Sequence, residues 1–274
     1  METIYITGKH ITAMEHSSKG NQLKWEQDGY WYKADAFGFE SLAETVASRI
    51  LEHSTIKDFA AYEPVTIIWQ GRTYRGCRSR NFRRENEELI PLERLVRAHT
   101  SMGLAKELAR IFDVKQRVLY TVELVENLTG IEGFGGYLAQ MLEIDAFFLN
   151  EDRHTNNIAL LYDVEKKTYR LCPFYDMGLS LFSDTREAYP LEMSFEACRR
   201  NITAKPFSRD FDEQLDAVNE LYGYHLTFEL TAEKIKAIVK ETAEQTGDAY
   251  RQEELGRVEE VLRYQAGKYR YMFC

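Results

Sequence analysis

The first eighty or so residues alternate between apolar and polar positions, and the chain then changes period. "TIYITG" (3–8) alternates strictly and predicts a short strand. Two further strands are expected at 22–26 and 30–35, joined by "QDG" (27–29), because Asp-Gly tolerates the positive φ of a tight hairpin. Phe39, Leu42, Val46 and Ile50 then recur at spacings of three and four, which is one face of a helix within "GFESLAETVASRILEHS". "EPVTIIWQGRTYRGCRS" reads as a strand pair bent at Gln70-Gly71. From about residue 92 the period is helical. "LERLVRAHTSMGLAKELARIF" (92–112) predicts a helix, and "KQRVLYTVELVENL" follows with enough β-branched residues to leave its type open. In "GFGGYLAQMLEIDAFFLN", Leu138, Met141, Leu142, Asp145 and Phe148 share one stripe. "IALLYD" and "TYRLCPF" predict a hairpin around "VEKK". The tail predicts three helices, in 209–223, 231–247 and 253–273, the middle one capped by Thr231.

This order predicts an α+β, bilobal architecture: a β-rich small lobe over residues 1–88 and a mainly helical lobe over 89–274. The cleft between them is the natural ligand site. At 274 residues, with 44% hydrophobic and 29% charged side chains, the chain can bury a full core. A net charge of −9 argues against direct nucleic-acid binding. "RGCRSRNFRR" (75–84) is locally basic but lacks a stacking series of aromatics, so it reads as a solvated strand-to-loop segment. Cys77, Cys172, Cys198 and Cys274 form no C-x-x-C pair, which fits reduced thiols and a cytoplasmic protein. The first residues lack a signal-peptide pattern, and no apolar run approaches the ~20 residues of a membrane span.

One stretch interrupts the apolar pattern with dense chemistry. Between Leu149 and Ile158 the chain reads "NEDRHTNN". Phosphoryl transfer needs a carboxylate to take the proton of the attacking hydroxyl and an amide oxygen to help hold Mg²⁺. Asp152 and Asn157 stand at the Asp-x4-Asn spacing of a kinase catalytic loop. Asp176, in "YDMG", follows across the hairpin with a glycine two residues on, the place of a second metal-binding carboxylate. The small lobe offers "SSKGNQLK" (17–24) as a phosphate-covering loop around Gly20, and Lys33 on the next strand to meet the phosphates. Glu40 and Glu44 lie one turn apart on the following helix, and either can orient Lys33.

Together these segments resemble the HipA-like serine/threonine protein kinases. The resemblance is carried by "SSKGNQLK", "YWYK", "FESLAETVASRIL", "NEDRHTNN" and "PFYDMG", with scattered matches in "LIPLERL" (89–95) and "AKPF" (204–207). It implies a bilobal protein-kinase-like fold and transfer of the ATP γ-phosphoryl group to a protein Ser or Thr. On that resemblance Asp152 is the base, and Asn157 and Asp176 hold Mg²⁺. Lys33 with Ser18, Lys19, Gly20, Asn21 and Gln22 holds the phosphates of ATP, and His154, Asn157, Tyr175 and Asp176 line the nucleotide. Family members autophosphorylate a serine ahead of the glycine, which corresponds here to Ser17, with Ser18 adjacent. The glycine loop begins near residue 17, so the N-terminal subdomain of full-length members is missing. The chain thus resembles the short forms, stand-alone kinases of the CtkA type or toxins of three-component toxin–antitoxin systems. The protein substrate implied by the toxin members is an aminoacyl-tRNA synthetase, and the implied partner is a small antitoxin.

Two other functions share parts of this pattern: a lipid or small-molecule kinase, and a non-catalytic nucleotide-binding interaction module. His154 has no neighbouring His or Cys at ligand spacing, so it reads as a brace or phosphate contact rather than a zinc ligand. Asp145, on the apolar stripe, reads as support for the polar loop. "GIEGFGG" (130–136) lacks the dinucleotide-binding glycine order and reads as a helix-to-helix connection. The adenine-facing hinge is expected just after the strand at 73–78. Glu151 and Arg153 receive no role.

Overall fold

The structure is a computed structural model and describes residues 1–9 and 22–274. Ser17, Ser18, Lys19, Gly20 and Asn21, assigned above to the phosphate-covering loop, lie outside the described residues.

Five strands form the first sheet: β1 (Glu2–Tyr5), β2 (Lys24–Gln27), β3 (Tyr30–Ala34), β4 (Tyr62–Trp69) and β5 (Arg72–Arg80). Their order is β1-β4-β5-β3-β2, with β1 parallel to β4 and the remaining pairs antiparallel. Asp28 and Gly29 both take positive φ, 53° and 76°, as a two-residue hairpin requires. The register of β3 sets Lys33 opposite Lys24 on one side and Cys77 on the other. Trp25, Tyr32, Val65 and Ile67 make a small core of their own on this sheet.

Helix α1 (Glu40–Leu51) follows β3 but does not belong to that small core. Its Leu42, Val46 and Ile50 are fully buried and join the main core with residues of the helices that follow. The helix is therefore held by the larger body, which fixes its carboxylates relative to the polar loop.

That body contains α2 (Leu92–Thr100), α3 (Leu104–Leu108), α4 (Val114–Thr129), α5 (Phe134–Phe148), α6 (Phe195–Asn201), α7 (Phe211–Tyr222), α8 (Ala232–Thr246) and α9 (Gln252–Lys268). It also holds a second sheet of β6 (Glu87–Pro91), β7 (Ala159–Asp163) and β8 (Thr168–Leu171), antiparallel in the order β6-β7-β8. The segment at 115–128 is helical despite its β-branched residues, with Asp113 capping it by accepting from Gln116 N at 2.8 Å. Thr231 caps α8 by accepting from Lys234 N. Residues 130–133 link α4 to α5 as expected. Tyr269 is buried and donates to Asp212, and Phe273 packs against Phe147 and Phe228, so the C-terminal aromatics are largely core contacts. The cysteines are free, and Cys77, Cys172 and Cys198 are buried. Among the described residues, no helix is long and apolar enough to cross a membrane.

Three elements depart from the periodicity. β6 is a strand because it pairs with β7, whose sequence lies some seventy residues away, and nothing local announces it. α6 is short and was not expected. The helix expected over 92–112 is broken between α2 and α3, where Ser101 turns to φ 62°. The break lets the Glu93 carboxylate accept from Ala105 N at 2.9 Å and from Thr155 Oγ1 at 2.8 Å. Gly103 makes this contact sterically accessible, since a Cβ there would stand 1.6 Å from Glu93 Oε1. Gly103→Ala is expected to destabilise the fold by about 1–3 kcal/mol through overpacking. Urea unfolding monitored by circular dichroism checks this, and an unchanged midpoint would contradict it.

Candidate active site

The polar loop is positioned by the end of α5. Leu149 takes φ 55° and turns the chain out of the helix, while Asn150 N donates back to Asp145 O at 2.9 Å. Asp145 is fully buried, and Arg153 folds back onto it with Nε–Oδ2 at 2.8 Å and Nη2–Oδ1 at 3.0 Å. Asn150 Nδ2 donates to the same carboxylate at 2.8 Å. Asp145 therefore supports the loop, as its place on the apolar stripe suggested. Burial works against the Arg153 charge, and Asp145 overcomes it and keeps the guanidinium protonated.

Arg153, left without a role by the sequence, joins the two halves of the site. Its Nη1 donates to the carbonyls of Asn157 and Tyr175, each at 3.0 Å. One guanidinium thus ties the "NEDRHTNN" loop to the "YDMG" turn. Glu151, the other unassigned residue, accepts from Tyr189 Oη at 2.6 Å and anchors the loop from a further side. Glu93 holds the loop through Thr155.

Asp152 lies nearly buried in this frame. Its carbonyl accepts from Asn157 Nδ2 at 2.8 Å, and its Oδ2 stands 3.4 Å from the same nitrogen. The amide nitrogen of Asn157 is thereby committed to Asp152. His154 Nδ1 accepts from Asn156 N, which places the proton of the neutral ring on Nε2, 3.7 Å from Asp152 Oδ2. Burial lowers the His154 pKa below its ordinary value, against the pull of Asp152, so the ring is neutral near pH 7.

Asp176 adopts φ 62°, and its carboxylate meets two lysines from the first sheet. Lys33 Nζ lies 2.6 Å from Asp176 Oδ1 and 2.6 Å from Glu44 Oε1, and Lys24 Nζ lies 3.6 Å from Asp176 Oδ2. Burial alone would raise the Asp176 carboxyl, but Lys24, Lys33 and Arg153 outweigh it and hold it far below the usual carboxylate range. Burial likewise opposes the Lys33 charge, and Asp176 and Glu44 hold its pKa well above normal.

The choice between Glu40 and Glu44 is decided by geometry. Glu40 accepts backbone N–H bonds from Ala36, Phe37 and Gly38 at 2.7–2.8 Å, closing the start of α1. Glu44, one turn on, bonds Lys33 and accepts from Met177 N at 3.0 Å, so it also grips the "YDMG" turn. Glu40→Ala is expected to lower unfolding stability by about 1–3 kcal/mol, because the N–H groups of the turn before α1 lose their acceptor. The Lys33–Glu44 pair should persist in that variant, a point that chemical denaturation and nitrogen NMR of the lysine ammonium check together.

A cleft of about 250 Å³ opens beside these groups, walled by Trp31, Lys33, Phe82, Leu89, Tyr175 and Asp176. Phe82 and Tyr175 pack against each other along its wall, with ring centroids 5.6 Å apart and planes tilted by 48°. Phe82 follows β5 directly, and the Phe82 carbonyl is held by Arg170, which also clamps Glu87. The apolar part of the cleft suits a flat aromatic group, and its charged end suits an anion.

The oxygens that the sequence proposed for Mg²⁺ fit a hard cation. Asn157 turns its Nδ2 toward Asp152, leaving Oδ1 as its ligand atom, and Asp176 is an ionised carboxylate. No cluster of three or more His, Cys, Asp or Glu forms a metal cage among the described residues. Two protein oxygens completed by phosphate and water is the ordinary Mg²⁺ arrangement in such sites. Of the remaining residues proposed for the nucleotide, Gln22 begins the described chain before β2, and His154 lies on the Asp152 side rather than in the cleft. Sequence reasoning passed over Lys24, Arg153 and Glu93. Lys205, in "AKPF", also reaches the site, with Nζ 3.4 Å from Asp152 Oδ1.

The fold is α+β and protein-kinase-like, with Tyr175 and Asp176 of the "YDMG" turn and Lys33 of β3 lining one cleft, and the polar loop tied to that turn through Arg153. Among solved structures it is similar to the Helicobacter pylori proinflammatory kinase CtkA, with a TM-score of 0.63 over 98% of this chain and 96% of that one, at 17% sequence identity. No protein-family model matches the sequence, and no curated protein matches it.

Proposed function

We propose that the protein is a Mg²⁺-dependent protein kinase that transfers the γ-phosphoryl group of ATP to a Ser or Thr hydroxyl. The observation that carries this reading is that Arg153 ties the Asp152–Asn157 loop to the turn that carries Asp176, which Lys33 bonds beside the cleft, although these residues lie far apart in sequence. The kinase fold of the H. pylori protein supports it.

In this reading Asp152 accepts the proton of the acceptor hydroxyl as the new P–O bond forms. Lys33, oriented by Glu44, meets the nucleotide phosphates. Asn157 Oδ1 and Asp176 hold Mg²⁺, which supplies neutralisation of the phosphate charge. The base lies against the apolar wall that Phe82 and Tyr175 form together. Ser17, or Ser18 beside it, is the site of autophosphorylation, where about −1.5 to −2 added charges would repel the nucleotide phosphates. Residues 1–88 form the nucleotide-covering lobe, residues 89–274 the catalytic lobe, and the protein works in the cytoplasm. As in the toxins it resembles, it acts on a partner protein such as an aminoacyl-tRNA synthetase and is restrained by a small antitoxin.

The test is transfer of labelled γ-phosphate from ATP, offered in parallel to proteins of a cell extract and to lipid vesicles. Label on protein that disappears with EDTA is the expected result. Label on lipid alone would replace the acceptor class. ATP binding without transfer to anything, and with no effect of Asp152→Ala, would reduce the protein to a nucleotide-binding module.

A further inference from the structure

A second cavity, of about 370 Å³, lies on the other side of the polar loop and shares no wall residue with the cleft. Its walls come from three distant segments: Leu108 and Ala109 at the end of α3, Arg117 on α4, and Lys205 with Pro206. His154 and Thr155 of the polar loop complete it. The cleft is walled by Lys33 and Asp176, while this cavity is walled by Lys205 and His154, whose side-chain nitrogens stand 3.4 and 3.7 Å from the Asp152 carboxylate. It offers a hydroxyl an approach to Asp152 from the side away from the cleft.

Lys205 is aimed by its surroundings. Arg117 Nη1 donates to Phe207 O at 2.6 Å and its Nε to Ile111 O at 2.8 Å, which fastens the 205–207 segment over α4. The Lys205 side chain is 35% exposed, so its ammonium keeps access to the cavity while standing 3.4 Å from Asp152 Oδ1. Lys33 and Lys24 approach the site from the sheet side, where both stand against Asp176 and Lys33 also bonds Glu44. Of the described wall residues, Arg117 is turned to the Ile111 and Phe207 carbonyls, His154 is kept neutral by burial, and the Glu93 carboxylate behind Thr155 accepts from Thr155, Ala105 N and Arg97.

We propose that Lys205 is a further catalytic residue, the cation that meets the transferring phosphoryl group on its acceptor side. This rests on the kinase reading above. In the step, the acceptor oxygen forms a bond to the γ-phosphorus and its proton passes to Asp152. The bond from that phosphorus to the β,γ-bridging oxygen breaks, and the electron pair leaves on ADP. Lys205 keeps its proton throughout. Its charge offsets the negative oxygens of the phosphoryl group at the point farthest from Lys33, and its contact with Asp152 holds the carboxylate toward the incoming hydroxyl. A fixed cation in a partly water-excluded site acts on the transition state because it needs no reorganisation when the charge moves.

The experiment compares wild type with Lys205→Ala and Lys205→Arg, using label transfer from ATP–Mg²⁺ to the chain itself and to extract proteins. Fluorescent-nucleotide binding and thermal melting are followed in parallel. Lys205→Ala is expected to lower kcat by about 10²–10³-fold, the effect of removing one preorganised donor. The KM for ATP should move less than about threefold, because uniform binding is untouched. Lys205→Arg should recover at least a tenth of the loss, and added ethylammonium should partly restore Lys205→Ala, which a purely structural lysine would not show. The inference is overturned by a Lys205→Ala protein that turns over within about threefold of wild type. It is also overturned by a loss that neither arginine nor ethylammonium relieves. A wild-type protein that binds ATP but transfers no phosphoryl group overturns the kinase reading and this inference together, and so is distinguishable from either of the first two outcomes.

Discussion

Asp152→Asn is expected to reduce phosphoryl transfer by about 10²–10⁴-fold, the usual contribution of a positioned general base. The substitution keeps the shape of the side chain. The backbone contacts that hold residue 152 do not involve its carboxylate: its N–H donates to Asn150 Oδ1 at 3.2 Å, and its carbonyl accepts from Asn157 at 2.8 Å. The loop therefore keeps its path, and what is lost is the proton-accepting charge. Nucleotide affinity should change little, since Lys33, Asp176 and the Phe82–Tyr175 pair are untouched. Steady-state kinetics of label transfer, with nucleotide titration as the companion measurement, check both halves. A kcat within tenfold of wild type would remove Asp152 from the role of base.

Arg153→Met should be the most damaging single change to stability, at about 3–5 kcal/mol. Both partners of the Arg153–Asp145 pair are almost completely buried, at 1% and 0% side-chain exposure. Removing the guanidinium leaves the Asp145 carboxylate facing only Asn150 in the core, and it strips a donor from the carbonyls of Asn157 and Tyr175. Breaking a buried pair costs more than replacing it, because the stranded charge is not rehydrated. The double substitution Arg153→Met, Asp145→Leu should therefore recover part of the lost stability while leaving the site poorly ordered. Equilibrium urea unfolding of the three proteins gives the comparison. A cost below about 1 kcal/mol for Arg153→Met would mean that the pair is not the joint of the site.

Most of the regular elements were legible in the sequence because their causes are local. The alternation around Asp28-Gly29 needs only neighbouring residues, and so does the three-and-four spacing of Leu42, Val46 and Ile50. The elements that were missed have distant causes. β6 exists because β7 offers it a hydrogen-bonding edge, and the helix over 92–112 breaks where Gly103 makes room for Glu93 to reach Ala105 and Thr155. For the site, the sequence named Asp152, Asn157, Asp176 and Lys33 by type and spacing; in the structure Lys33 bonds Asp176 beside the cleft, and Arg153 ties the Asp152–Asn157 loop to the turn that carries Asp176. It could not separate Glu40 from Glu44, since one helical turn presents both to nearly the same direction.

The sequence by itself determined most of the strands and helices, and it marked one polar loop and one acidic turn as places of chemistry. Backbone hydrogen bonding and side-chain alternation act over a few residues and are written in local order. Tertiary structure alone decided which groups meet. Glu44 reaches Lys33 because Glu40 is occupied by the start of its own helix. Arg153 turns inward because Asp145 waits in the core behind it, and Lys205 arrives at Asp152 from 53 residues along the chain. Such pairs depend on how the core packs, and packing brings together residues whose separation along the chain carries no trace of the contact.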